Sequence, residues 1–322
     1  MQNIKEIFNN NYTLKRINYV YALSYFLRDF ACTVFLCAHL CECEKEFSFT
    51  CSEEVTNLGF HQKVISYSFL NTSKRYWIGF NELMQNISVF YPGWRVRVYA
   101  SSPDISFLQS IMKNWTFVNF CDIDNLPPPI YSVRFYPVTM WRFAPLGDDQ
   151  VDVMLSRDLD SEILKREYDA VSEWLNSTNK SLHIMRDHQL HCVTMLGGTW
   201  GIRVTKPSER RRLRIIRQKM FKSAFNKTEE TRDDQTYLTY FISQNMLLIF
   251  CGFKYDIYFI QIILWPEFNT DFIAHDSYCC DRRKGSSPFP TRREDGKYVG
   301  ASIFGSNNPS GVYKHMEMST KL

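Results

Sequence analysis

Apolar and polar residues alternate at every second position through several short stretches of the chain, and between those stretches apolar residues recur at three- and four-residue spacing. The first period belongs to pleated strands and the second to amphipathic helices. The pattern predicts strands near 64–70, 94–99, 115–120, 151–156 and 182–185. It predicts helices over 76–90, with Ile78, Phe80, Leu83, Met84 and Ile87 on one face, from Asp104 through Met112, and, as a short piece, over 139–143. Two more follow: one after Ser161, its N-cap, with Ile163, Tyr168, Val171, Trp174 and Leu175 inward, and one opened by Asp233-Asp234-Gln235. Strands that alternate with helices pair in parallel through right-handed crossovers, which puts helices on both faces of the sheet. The expected fold is therefore α/β, one domain around a mostly parallel central sheet.

The strand from Val151 is the most informative, because its alternation stops at Ser156-Arg157 and two acids follow, Asp158 and Asp160. In a continuing strand they would point to opposite faces, so both reach one ion only if the backbone turns at Leu159. Open α/β sheets bind ligands outside the carboxyl ends of their strands, and paired carboxylates there suit a hard cation and a diphosphate. A second Asp-x-Asp, Asp122-Ile123-Asp124, precedes Pro127-Pro128-Pro129 and reads as a loop with solvated acids. Ordinary composition supplies about one such pair in a chain of this length, so context has to separate them. Leu196-Gly197-Gly198-Thr199-Trp200-Gly201 is either a packed turn or a place where backbone approaches a ligand; neither a dinucleotide fingerprint nor a P-loop is present.

Length and composition fit a large core: 322 residues, 45% hydrophobic and 16% aromatic. A net charge of +4 from 38 basic and 34 acidic residues leaves no polyanion footprint, and nucleic acid is not an expected partner. The basic cluster Arg210-Arg211-Arg212-Leu213-Arg214 runs into Ile215, Ile216 and Met220 and reads as a solvated helix face, still able to meet a phosphate or an anionic membrane. The 10 cysteines contain no Cys-x-x-Cys, which favours buried thiols or one or two disulfides over a zinc site. Acceptor sequons for N-glycosylation stand at Asn11, Asn71, Asn86, Asn114, Asn176, Asn179 and Asn226, where composition alone gives about three. That excess points to the secretory lumen. Residues 1–58 form an irregular N-terminal segment: Tyr19 to Leu40 is apolar like a signal anchor, but Arg28 and Asp29 each cost about 2.5–3.5 kcal/mol at a membrane centre. Membrane association through it stays an open expectation; the domain is expected over 59–305, with a tail over 306–322.

Ser156-Arg157-Asp158-Leu159-Asp160-Ser161, Met185-Arg186-Asp187-His188, Gly197-Gly198-Thr199-Trp200-Gly201, Asp234-Gln235 and His275-Asp276-Ser277-Tyr278, in this order, resemble a family of animal and microbial proteins with the glycosyltransferase GT-A fold. Arg75-Tyr76 and Tyr91-Pro92-Gly93-Trp94 resemble the same family's first helix and second strand, and the likeness covers roughly 60–300. It implies a metal-dependent transferase that takes a nucleotide sugar, a UDP-sugar with Mn²⁺ or Mg²⁺, and passes the sugar to a glycan, protein or lipid in the Golgi or ER lumen or membrane. By the same resemblance Asp160 is the direct metal ligand, Asp158 its partner at the metal or ribose, and His275 the distal ligand; neutral imidazole suits Mn²⁺, although a hydrogen-bonded loop histidine is the alternative. Gly197 and Gly198 join Asp158 beside the nucleotide, and Asp187 or Asp234 is the general base, with inversion and retention both open. A catalytically silent relative and a metal-dependent phosphoester hydrolase are the competing functions. The chain departs from the family's pattern in its first 58 residues and in an apolar insert, 242–263, which holds Lys254 and Asp256 and is expected to lie on the surface or be poorly ordered, without crossing a membrane.

Overall fold

The computed structural model describes residues 47–70, 79–111, 115–191, 193–204, 206–225, 259–278, 285–294 and 296–302. In it the alternating stretches become β1 (Gln62–Ser68), β2 (Arg95–Ala100), β3 (Val118–Asp122), β4 (Val151–Arg157) and β5 (Leu182–Arg186). Three further strands, β6 (Thr199–Arg203), β7 (Phe272–Asp276) and β8 (Ser286–Ser287), complete an eight-stranded sheet in the order β3-β2-β1-β4-β6-β5-β7-β8. Every neighbouring pair is parallel except the two that β6 makes with β4 and β5. The strands are buried on both faces: Val64 and Met154 enter one apolar cluster, while their neighbours Ile65 and Leu155 enter the other. That two-sided burial is the arrangement of a sheet with helices on both faces.

One face is covered by α2 (Phe80–Phe90), α3 (Ser102–Ile111) and α4 (Lys165–Ser177), through Leu83, Met84, Ile87, Leu108, Val171 and Trp174. The other is covered by α5 (Pro207–Phe225), by a 3₁₀ turn (Val138–Phe143), and by a π-helical turn (Ile260–Leu264) that runs into a four-residue helix, α6 (Trp265–Phe268). The single α/β domain with a mostly parallel sheet is the fold expected from the pattern. Two local expectations change. α4 starts at Lys165 after Leu164, which makes no side-chain cap, whereas Ser161 forms an antiparallel bridge with Ser302. The segment between them runs on without helix because Ile163 has to reach the core. β6 hides behind Gly201, a residue that ordinarily weakens a strand. Here a Cβ would come within 2.6 Å of Leu155 Cδ2 and 3.1 Å of Trp174, so the sheet closes only without one.

The chain divides into two units, Met1–Phe47 and Ser48–Leu322. Residues 48–58, assigned to the N-terminal segment by pattern, thus belong with the sheet. Ser48, Thr50, Cys51 and Val55 are buried, a short α1 (Glu53–Thr56) lies among them, and Cys51 is joined to Cys121 at the end of β3 by a disulfide. With the cysteines 70 positions apart, loop-closure entropy alone makes this bond worth about 4 kcal/mol.

Arg211 and Arg212 are exposed, as expected of a solvated face, but the other arginines of α5 turn to the domain. Arg210 binds the Val151 carbonyl and Asp152, Arg214 binds the Gly147 carbonyl and Asp149, and Arg212 pairs with Glu267. Arg217, fully buried, donates to the Ala144 and Leu146 carbonyls. The cations latch α5 onto the segment that feeds β4. The end of the apolar insert also differs from expectation, since Phe259 and Ile260 are core residues and Gln261 donates to the Met195 carbonyl. Residues 242–258 lie outside the described residues. Among the described residues no helix is long and apolar enough to cross a membrane.

Candidate functional site at the carboxyl end of the fourth strand

β1 and β4 are parallel neighbours, but the chain leaves β1 towards β2 on one side and leaves β4 towards β5 on the other. Such a reversal opens a crevice beyond the carboxyl ends of the two strands. The acids stand there. Ser161 N donates to the Asp158 carbonyl at 3.1 Å, closing a turn centred on Leu159 and Asp160, and Leu159 is buried while Asp158 and Asp160 are half-exposed. The turn at Leu159 that a shared ion requires is therefore formed.

Two groups fix the first acid. Arg142, buried, donates from Nη1 to Asp158 Oδ1 at 2.5 Å and to the Arg157 carbonyl at 3.0 Å. Its own backbone is tied to β1: Arg142 N donates to Ser68 Oγ at 2.9 Å, and Ser66 Oγ donates to the Arg142 carbonyl at 2.7 Å. On the other side lies Gly198, where a Cβ would sit 2.1 Å from Asp158 Oδ2. The Gly197 carbonyl accepts from Ser156 Oγ at 2.7 Å and from Trp200 Nε1 at 3.0 Å, which holds the glycine pair against β4. Asp158, Asp160, Gly197 and Gly198 are thus brought together. The other Asp-x-Asp is a turn that closes on itself: Asp122 accepts from Ser102, Asn125 and the Asp124 amide, and Asp124 pairs with Arg134.

Asp187, next after β5, is enclosed. Its carboxylate accepts from Arg166 Nε and Nη2 at 3.0 Å each, from Ser277 Oγ at 2.5 Å, from Arg293 Nη2 at 2.9 Å and from Val299 N at 3.0 Å. Burial pushes its pKa up, but these donors outweigh burial and hold it below the usual carboxylate value. A base works best with a pKa near the operating pH, so this geometry suits a clamp between α4, β7 and residues 291–299 better than proton abstraction. Because the folded pKa is depressed, the ionised form contributes stability above the unfolded value near ~3.9, and that contribution disappears as pH falls through the folded value. Asp187→Asn will accordingly unfold at lower denaturant than wild type at pH 7, and the gap will narrow at about pH 3. A gap of equal size at both pH values would contradict the assignment.

His275 is not brought to the acid turn. It lies on β7, three strands from β4, or about 14 Å at ~4.8 Å per strand. Its ring is fully buried, with Nδ1 2.8 Å from His183 Nε2 and with Phe289 packed against it, while Trp174 stacks on His183. Burial depresses the pKa of both histidines, and Glu173, 3.7 Å from His275 Nε2, opposes this at His275. Asp234 lies outside the described residues.

Other residues that the sequence did not single out surround the turn. His191, in the turn after β5, has a buried Nδ1 with no hydrogen-bond partner, and burial, reinforced by His188, brings its pKa down to about 4 against the opposing charges of Asp187 and Asp158. Tyr298 stacks on His188 at 4.4 Å and meets His191 edge-on at 5.5 Å. Gly300, with φ of +83°, passes so close that a Cβ would lie 2.9 Å from Thr199 Cγ2 and 3.4 Å from His191 Cε1. Residues 296–302 therefore line the same edge of the sheet as the acids. Gly300 was the visible signal for this approach; nothing in the local pattern marks Arg142.

No family model matches the chain, and no curated protein matches it. Among solved structures it is similar to a glycosyltransferase involved in the glycosylation of the major capsid of PBCV-1, with 11% identity, 67% of this chain and 82% of that chain covered, and a TM-score of 0.37.

Among the described residues no three His, Cys, Asp or Glu side chains converge as a ready metal cage. The acid turn offers hard oxygen donors alone. That set fits a Mg²⁺- or Mn²⁺-like cation of the kind held by one or two carboxylates together with ligand phosphates and water.

Proposed function

We propose that this chain is a glycosyltransferase that uses a nucleotide-diphosphate sugar, a UDP-sugar with Mn²⁺ or Mg²⁺, and passes the sugar to a glycan, protein or lipid acceptor. The observation that carries the proposal is the Asp158–Asp160 turn at the sheet's reversal point, with Asp158 fixed between Arg142 and Gly198. The family resemblance of the motifs around it supports the same reading. Arg142 offsets the charge of Asp158; in this reading Asp160 faces the cation and Asp158 orients a ribose or diphosphate group. A bound cation would neutralise the leaving diphosphate. Gly198 lets the backbone stand close to the donor, and His191, neutral at physiological pH, offers a nitrogen acceptor to a hydroxyl. Asp187 keeps the 291–299 segment in place, and Asp234 is the proposed base. The Cys51–Cys121 disulfide supports a lumenal compartment, because such bonds persist in oxidising surroundings.

A catalytically silent binding protein is the second reading, favoured by the full engagement of Asp187. A screen of nucleotide sugars by thermal shift, with and without Mn²⁺, followed by assay of nucleotide release, separates the two. Transferase activity predicts a metal-dependent shift with UDP-sugars and release of UDP. A shift without release would support the silent relative, and no shift with any nucleotide sugar would overturn both.

A further inference from the structure

The last turn of α4 and the loop that follows it into β5 contain two of the acceptor sequons, Asn176-Ser177-Thr178 and Asn179-Lys180-Ser181. The loop's backbone is pinned inward. Thr178 Oγ1 donates to the Trp174 carbonyl at 2.7 Å, Trp174 Nε1 donates to the Lys180 carbonyl at 2.7 Å, and Arg203 Nη2 donates to the Thr178 and Lys180 carbonyls at 2.9 and 3.0 Å. Asn176 and Asn179 are nevertheless exposed, and they border an open cleft of about 560 Å³ whose floor is Phe272 and Ile273. A fixed backbone with outward amides beside an aromatic ring gives a first sugar both room and an apolar surface on which its ring can lie. Asn86, the other sequon asparagine among the described residues, is half-buried on α2.

Position in the fold makes the loop compatible with the acid turn. β4 and β5 run in the same direction, each being antiparallel to β6, so a loop that enters β5 lies at the amino edge of the sheet while the acid turn lies at the carboxyl edge. The length of β5 separates the edges by roughly 15 Å, so a glycan on this loop does not cover the crevice.

We propose that this loop carries a single N-linked glycan, attached at Asn176 or Asn179. The inference rests on the lumenal location proposed above. In the step itself the side-chain amide nitrogen loses a proton and bonds to the anomeric carbon of an oligosaccharide, and that carbon's bond to a polyprenyl-diphosphate carrier breaks, the diphosphate leaving with the electron pair. The two asparagines are three residues apart on a pinned backbone, so the first glycan attached excludes the second.

The full chain is expressed in eukaryotic cells both as it stands and behind a cleavable secretion signal, and its mobility is compared before and after peptide-N-glycosidase treatment. Formation of the Cys51–Cys121 disulfide, read by thiol alkylation, reports arrival in the lumen. In the lumenal protein the double variant Asn176→Gln/Asn179→Gln is expected to lose one glycosidase-sensitive step relative to wild type, each single variant is expected to keep it, and Asn86→Gln is expected to leave that step in place. A double variant with the same number of steps as wild type overturns the site, and two steps lost overturn the single-glycan claim. If the loop is modified only behind the secretion signal, the site stands and the lumenal location of the natural chain fails.

Discussion

Asp148→Ala will destabilise the domain by about 3–5 kcal/mol, the cost of leaving a buried charge without its partner. Arg97 on β2 and Asp148 just before β4 are both fully inaccessible, and Arg97 Nη1 lies 2.7 Å from Asp148 Oδ2. Arg97 also donates to Thr50 Oγ1 and Gln62 Oε1, and Thr50 donates to Asp148 at 2.6 Å, so removal of one carboxylate disturbs the junction of residues 48–50 with β1 and β2. Burial alone would lower the pKa of Arg97, yet Asp148 outweighs it and the net direction is upward, so the guanidinium stays charged and has nowhere to dissipate that charge. Urea denaturation of the variant, with Arg97→Met/Asp148→Leu beside it, measures the effect. The double variant is expected to recover most of the loss, because an apolar pair of similar volume needs no partner. Asp124→Ala, which breaks the exposed pair with Arg134, is expected to leave the midpoint almost unchanged. Equal losses in Asp148→Ala and Asp124→Ala would contradict the account.

Gly198→Ala will remove nucleotide binding at the acid turn, by at least about tenfold, while costing only about 1–3 kcal/mol of stability as an overpacking change. The new Cβ would stand 2.1 Å from Asp158 Oδ2, 2.4 Å from its Cγ and 2.9 Å from its backbone nitrogen. The carboxylate can yield only by leaving Arg142, and the backbone nitrogen belongs to the end of β4 and cannot yield at all without moving the turn. Asp158→Ala/Gly198→Ala should relieve the side-chain part of the clash without restoring binding, since the acid is gone, and should stay less stable than wild type, since the 2.9 Å approach to the backbone nitrogen remains and buried Arg142 loses its carboxylate. Wild-type affinity in Gly198→Ala would show that the close approach has no part in ligand recognition.

The residues that set the sheet were legible because their periods are simple: Val151 to Leu155 and Leu182 to Met185 could only alternate or be buried on both faces. The turn at Leu159 was legible too, from a geometric requirement on two acids. What escaped was whatever depends on distant parts of the chain. β6 looked like a glycine turn because Gly201 is there for the sake of Leu155 and Trp174, which are remote in sequence. Residues 48–58 looked like a stray segment because their value lies in bonds to Asp148, Asp149 and Cys121. His275 was placed at the metal by motif order, which carries no information about the two strands, β6 and β5, between β4 and β7. Arg142 escaped because a lone arginine in a short apolar turn shows its role only once β1 and β4 are side by side.

Calorimetric titration of UDP into the wild-type protein and into Asp160→Asn, each with and without Mn²⁺, tests the central claim most directly. Arg142 offsets only the charge of Asp158, so Asp160 and a diphosphate repel one another until a cation joins them, and metal and nucleotide should strengthen each other's binding. The predicted result is UDP binding to the wild type that tightens at least about tenfold with Mn²⁺, and loss of that metal dependence in Asp160→Asn with an unchanged unfolding midpoint, since a half-exposed acid adds little to the core. UDP affinity that ignores the metal, or that survives undiminished in Asp160→Asn, would contradict it.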